Sequence, residues 1–130
     1  MKGVFPILST PFDSKDNIVF EDVQSEVNYA VGAGVNGIAI ALASEIYKLT
    51  DHERYNLLEK VVNYSAGRIK VCMNTTAEST KQCIEYSKKA EDFGADAVMI
   101  APPSFGGVDQ NEVIKYFINT AEAINIPIFM

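Results

Sequence analysis

The chain has 130 residues, 48% of them hydrophobic, and a formal charge of −6. That suffices for one modest core, and no stretch reads as a linker or low-complexity tract. The acidic groups are scattered over helix faces (Glu21, Asp22 and Glu26; Asp51, Glu53 and Glu59; Glu85, Glu91 and Asp92), which argues against nucleic acid or an anionic membrane as partner. No apolar run approaches the roughly 20 residues of a membrane span. Met1-Lys2-Gly3 leads directly into a strand, so no signal peptide is expected. Cys72 and Cys83 have no metal-ligand spacing and His52 is the only histidine, so both thiols are expected to be reduced core residues, and neither metal nor cofactor is expected.

In chain order, Val4 to Leu8 reads as a strand that tolerates Pro6 near its start, followed by a polar turn at Ser14 to Asn17. Phe20, Val23, Val27 and Val31 then recur at helical spacing up to Gly32. Gly34 suits a helix C-cap, Asn36-Gly37 turns the chain, and Ile38 to Leu42 is an apolar run too short for a helix, hence a buried strand. It stops at Ala43-Ser44-Glu45, where a hydroxyl and a carboxylate appear. Thr50-x-x-Glu53 has the form of a capping box, opening a helix with Leu57, Leu58, Val61 and Val62 inside and His52 in its first turn facing solvent.

Ile69 to Met73 is the next strand, delivering Asn74-Thr75-Thr76 at its end. Ser79-x-x-Gln82 predicts a second capping box, for a helix with Cys83, Ile84, Ser87 and Ala90 on its inner face. The earlier phrase then returns: Phe93-Gly94-Ala95-Asp96 leads into an apolar strand from Ala97 to Ala101 and a loop beginning Pro102-Pro103-Ser104-Phe105. Asp109-x-x-Glu112 predicts the cap of a helix whose stripe is Val113, Ile114, Phe117, Ile118 and Ala121, and Ile126 to Met130 begins a fifth strand.

Strands beginning near residues 4, 38, 69, 97 and 127 repeat at about thirty residues, the length of a strand, a loop and a covering helix. The class is α/β. A flavodoxin-like open sheet also fits the length. Against it, no Gly-rich phosphate loop follows any strand, and no helix follows the fifth. A (β/α)8 TIM barrel accounts for both, with this chain covering the first four βα units and the start of strand five. Residues 1–130 are then the N-terminal half of a single barrel domain of roughly 250 to 300 residues, truncated inside an apolar strand. In a barrel, chemistry belongs at the carboxyl ends of the strands.

Several segments together resemble the dihydrodipicolinate synthase/N-acetylneuraminate lyase family: Gly3-Val4-Phe5-Pro6-Ile7-Leu8-Ser9-Thr10-Pro11-Phe12, Ala33-Gly34-Val35-Asn36-Gly37, Ser44-Glu45 with Leu49-Thr50-x-x-Glu53-Arg54, Ala66-Gly67-Arg68, Ser79-Thr80, and Gly94-Ala95-Asp96-Ala97 with Pro102-Pro103. The resemblance implies Schiff-base aldolases and dehydratases acting on 2-keto acids without a cofactor. A lysine on the sixth strand forms the imine and a tyrosine at the end of the fifth moves protons. Both positions fall beyond Met130, so no catalytic residue is expected here and the 130-residue chain alone is expected to be inactive.

The resemblance assigns the substrate carboxylate to the loop after the second strand, where members usually read Gly-Thr-Thr-Gly-Glu. Here Ser44 keeps a hydroxyl, Ala43 offers only its amide, and Glu45 serves equally well as a structural carboxylate or a substrate contact. Asn74, Thr75 and Thr76 replace a more glycine-rich segment and add polar groups to the rim. Phe105 takes a position where synthases carry a relay tyrosine, and without a hydroxyl it cannot pass a proton. The substrate-binding set is therefore Ala43, Ser44, Glu45, Asn74, Thr75 and Phe105. The expected enzyme is a 2-keto-3-deoxy sugar acid dehydratase or aldolase, cytoplasmic, a homo-oligomer (dimer or tetramer), with a small 2-keto acid as partner. The alternatives are a dihydrodipicolinate synthase joining pyruvate to aspartate semialdehyde, and a non-catalytic half-barrel that self-associates through its edge strands.

Overall fold

The structure, a computed structural model, describes every residue except Phe105, Gly106 and Val108. Its elements alternate: α1 (Phe20–Gly32), β1 (Gly37–Ile40), a one-turn 3-10 helix (Ile46–Lys48), α2 (Asp51–Ser65), β2 (Lys70–Asn74), α3 (Thr80–Asp92), β3 (Ala97–Met99), α4 (Gln110–Glu122) and β4 (Ile128–Phe129). The strands form one parallel sheet in the order β1-β2-β3-β4. Each strand pairs with its successor through a covering helix, which is the βαβ unit the thirty-residue period requires.

The segment Val4 to Leu8 lies beside β1 but makes a single parallel bridge, Ile7 with Ala39, instead of the expected full strand. Ala39 N donates to Pro6 O and Leu8 N to Ala39 O, both at 2.9 Å, and one pair further back Gly37 N reaches Val4 O at 3.3 Å. The return bond at that pair would need an N–H on residue 6. Pro6 has none, and the ladder stops there. Three of the other strands are shorter than expected at their carboxyl ends, β1 stopping at Ile40, β3 at Met99 and β4 at Phe129, while β2 runs one residue further, to Asn74. Leu42 stands half-buried in a turn.

Side-chain alternation divides the sheet into two faces. Ile38, Ile40, Val71, Met73, Val98 and Ile100 point outward to the helices and join Val23, Val27, Leu57, Leu58 and Val61 in the main core. Burying each such side chain stabilises the fold by about 1.5–3 kcal/mol. The concave face is built differently. Ala39, Ala41, Cys72 and Ala97 line it, covered by Phe5, Met99 and Phe129. Phe5 and Phe129, from opposite edges of the sheet, meet across it with ring centroids 5.6 Å apart. Small residues in the middle and aromatic ones at the edges let the sheet curl, as a barrel wall must.

Turn chemistry fixes the strand entries. Gly34 and Gly94, the equivalent glycines of the repeated phrase, have φ of +70° and +89°, a left-handed conformation that terminates α1 and α3 without Cβ strain. The capping box of α2 is complete: Thr50 accepts from Glu53 N, and Glu53 accepts from Thr50 N at 2.8 Å. Ser79 caps α3, but Gln82 turns its amide to the Tyr86 hydroxyl at 2.8 Å, so only half of that box forms. Asp109 accepts from Asn111 N rather than from residue 112. The inner face of α4 also differs from expectation. Tyr116 and Thr120 are its buried residues, while Ile114 and Ile118 are about half exposed and Ala121 is exposed. Tyr116 turns inward to a partner outside the helix, its Oη donating to Ala77 O at 3.0 Å, and Thr120, one turn on along the same face, satisfies its hydroxyl on the helix's own Tyr116 O at 2.8 Å.

Candidate active site at the carboxyl ends of the strands

The loop after β1 folds back on itself. Ser44 N and Ser44 Oγ both donate to Ala41 O, at 3.1 and 3.0 Å. The serine hydroxyl therefore stabilises its own turn and offers only acceptor capacity outward. Ala43 is exposed, and its amide donates to no acceptor among the described residues. Glu45 accepts from Thr10 N at 2.9 Å, tying the first segment to this loop. The carboxylate thus braces two neighbouring strand ends.

After β2 the chain keeps the strand's alternation. Thr75 points outward: its hydroxyl is 2.8 Å from Ser87 Oγ on α3, with both residues buried. That contact places Thr75 in the layer between sheet and helix and away from the mouth of the curl, a correction to its expected place in the binding set. Asn74 points inward. Its Nδ2 donates to Met99 O and to Thr76 Oγ1, each at 3.1 Å, and its Oδ1 accepts from Thr76 N at 3.3 Å. Thr76 Oγ1 also accepts from Ala101 N at 2.8 Å. Asn74 and Thr76 together lace the end of β2 to the end of β3. Ser104, on the following loop, donates from Oγ to Glu78 at 2.9 Å. Phe105, the remaining member of the expected set, lies outside the described residues.

Behind the rim sits a residue the expected set omitted. Arg54, only 5% exposed, donates from Nη2 to Asn74 O at 3.2 Å, and its guanidinium carbon lies 4.4 Å from the centre of the Tyr86 ring. Tyr86 Oη donates to Asp51 at 2.9 Å, and burial together with that bond pushes its phenol above the ordinary tyrosine value. Arg54 falls on the apolar stripe of α2, three and four residues before Leu57 and Leu58, and that periodicity marks it as facing inward.

Other titratable groups fall outside the rim. His52 is exposed. Cys72 and Cys83 are free and buried, and burial pushes the Cys72 thiol up to about 12, which keeps it protonated and unreactive. Among the described residues no cluster of His, Cys, Asp and Glu is arranged to hold a metal ion, and no helix is long and apolar enough to cross a membrane. An apolar groove of about 670 Å³ lies between α1 and the outer edge of the Val4 to Leu8 segment.

A curled parallel sheet covered by helices, with its polar groups gathered at the carboxyl ends of the strands, is the N-terminal part of a TIM barrel. The chain belongs to the dihydrodipicolinate synthetase family, whose model matches residues 1–130. It is 36% identical over 130 residues to the 4-hydroxy-tetrahydrodipicolinate synthase of Methanocaldococcus jannaschii, an alignment covering 99% of this chain and 45% of that one. An L-2-keto-3-deoxyarabonate dehydratase from Azospirillum brasilense is 31% identical over 133 residues, with 99% and 43% covered. A crystal structure of a dihydrodipicolinate synthase superposes with a TM-score of 0.93 at 36% identity, over 98% of this chain and 44% of that one. The chain spans about half the length of the relatives it matches.

Proposed function

We propose that residues 1–130 are the N-terminal half of a single (β/α)8 domain, and that the complete protein is a Schiff-base-forming lyase acting on a 2-keto-3-deoxy sugar acid, by dehydration or aldol cleavage. The observation that carries this reading is the loop from Ala41 to Glu45. It presents at Ala43 an amide with no acceptor among the described residues, and no hydroxyl proton that is not already bonded within the turn. Such a loop suits a carboxylate held through the backbone and does not supply the proton relay that condensing pyruvate with an aldehyde requires. Asn74, fully buried with both amide protons bonded to Met99 O and Thr76 Oγ1, braces the end of the adjoining strand from behind. By family resemblance the imine-forming lysine and the proton-transferring tyrosine belong to positions after Met130. A cytoplasmic homo-oligomer acting on a small 2-keto acid is part of the same reading.

A dihydrodipicolinate synthase is the second reading. It is favoured by the higher identity to the synthase of M. jannaschii, 36% against 31% for the dehydratase. Two assays on the full-length protein separate them. Borohydride reduction with pyruvate traps the imine under either reading and tests only the Schiff-base chemistry. Loss of 2-keto-3-deoxy-pentonate or hexonate is the expected result. Turnover of pyruvate with aspartate semialdehyde, with both sugar acids untouched, overturns the proposal in favour of the synthase.

A further inference from the structure

The polar lacing between β2 and β3 leaves one group with a single unmet valence. A threonine hydroxyl offers one proton and two lone pairs. On Thr76 both lone pairs are occupied, one by Asn74 Nδ2 at 3.1 Å and the other by Ala101 N at 2.8 Å. The oxygen is saturated as an acceptor, so the group can act outward only as a donor. Among the described residues nothing accepts its proton. The donor is also held rigidly. Asn74 is itself fixed by Met99 O through its side chain and by Arg54 through its carbonyl, and Ala101 N belongs to the chain just past β3.

Position adds to this. Thr75 takes the outward place against Ser87, so its neighbours Asn74 and Thr76 lie on the concave side, at the end where the strands deliver their polar groups. Thr76 is only 5% exposed, so an oxygen that accepts its proton must sit directly against it with no water between. The nearby positive charge, Arg54, faces the Asn74 carbonyl from behind and adds nothing to this donor's outward reach. A lone neutral donor suits a hydroxyl oxygen better than a second carboxylate.

We propose that Thr76 is a specificity-determining residue that donates its hydroxyl proton to a chain hydroxyl of a hydroxylated 2-keto acid, and so selects such acids over pyruvate. This rests on the sugar-acid reading given above. A buried donor arranged for a substrate oxygen discriminates against a ligand that lacks the oxygen, because binding then leaves the donor dry and unpaired.

The test is competitive imine trapping by borohydride on the full-length protein, with pyruvate and 2-keto-3-deoxy-pentonate present together and the two adducts separated by mass. Wild type is expected to favour the hydroxylated acid. Thr76→Val also deprives Asn74 Nδ2 and Ala101 N of their acceptor, so trapping of both acids should weaken, and beyond that common loss the ratio of hydroxylated acid to pyruvate should fall by about tenfold. Thr76→Ser should retain the preference. If the valine variant does not fold, Thr76→Cys, close in size and a much weaker donor, takes its place with the same expectation. A valine or cysteine variant that keeps the wild-type preference, or one that loses both acids equally, overturns the donor assignment while leaving the sugar-acid reading intact. A wild-type protein that traps pyruvate and no hydroxylated acid overturns the sugar-acid reading, and the assignment with it.

Discussion

Among the described residues Arg54 is a buried cation with no carboxylate partner, and replacing it measures what holds the rim together. Three contributions compete. Its bond to Asn74 O is a charged hydrogen bond of about 1.5–3 kcal/mol. Its stacking on Tyr86 adds about 0.5–2 kcal/mol. Against these, its Nε is buried with no partner, which costs about 1–3 kcal/mol. Arg54→Met keeps the apolar stem and removes all three, so it should destabilise by about 1–2 kcal/mol, or about 2–6 °C in melting temperature for the full-length domain. Arg54→Ala also removes the stem and opens a cavity, adding about 2 kcal/mol more. Thermal and urea unfolding of both variants, followed by circular dichroism, read the difference. A methionine variant as stable as wild type, or one as damaged as the alanine variant, would refute the view that the guanidinium is a net support for the rim.

Thr50→Ala removes the cap of α2 and the hydroxyl bond to the Glu53 carboxylate, leaving that carboxylate only the residue-50 backbone N–H, and should lower the melting temperature by about 3–5 °C at neutral pH. The bonds from Thr50 hold the Glu53 carboxyl below its usual value; their contribution is present above the unfolded pKa and is lost as pH falls through the folded one, so the gap between variant and wild type should narrow in acid to the part due to the cap itself, and a gap independent of pH would contradict the reciprocal half of the capping box. Gly37→Ala should destabilise by about 1–3 kcal/mol, because its Cβ would lie 2.1 Å from the Phe5 ring and 2.7 Å from the Lys70 carbonyl; a neutral effect in urea melts would show that Phe5 does not pack there. Cys72 should resist iodoacetamide at pH 8 in the native protein and react after denaturation. Because burial raises its pKa from 9.0 to about 12, its contribution to stability is complete below pH 9 and should be lost as pH climbs between those values; a thiol modified at full rate in the native state would contradict the burial.

Period and turn chemistry carried most of the fold. Apolar runs after Gly34 and Gly94, with helices capped at Thr50, Ser79 and Asp109, determine alternating strands and helices, because local propensity and burial agree at those positions. The thirty-residue spacing determines parallel pairing, since a crossover of that length can hardly do otherwise. Arg54 was legible too, from its place on the stripe of α2. Other features depended on which neighbour each group meets. Val4 to Leu8 has the composition of a strand, yet the missing N–H of Pro6 leaves it one bridge. The stripe of α4 looks apolar through Ile114 and Ile118, but Tyr116 turns inward because Ala77 O accepts its hydroxyl, and Thr120 follows on the same face with its own hydroxyl satisfied within the helix. At the rim, sequence supplied a run of polar residues, Asn74-Thr75-Thr76, without saying which face each would take. Strand alternation and the position of Ser87 sent Thr75 outward, while Met99 O and Ala101 N fixed Asn74 and Thr76. Hydrogen-bond partners separated by 12 or 25 residues leave no local signature, because the free energy that selects them exists only once the strands lie side by side.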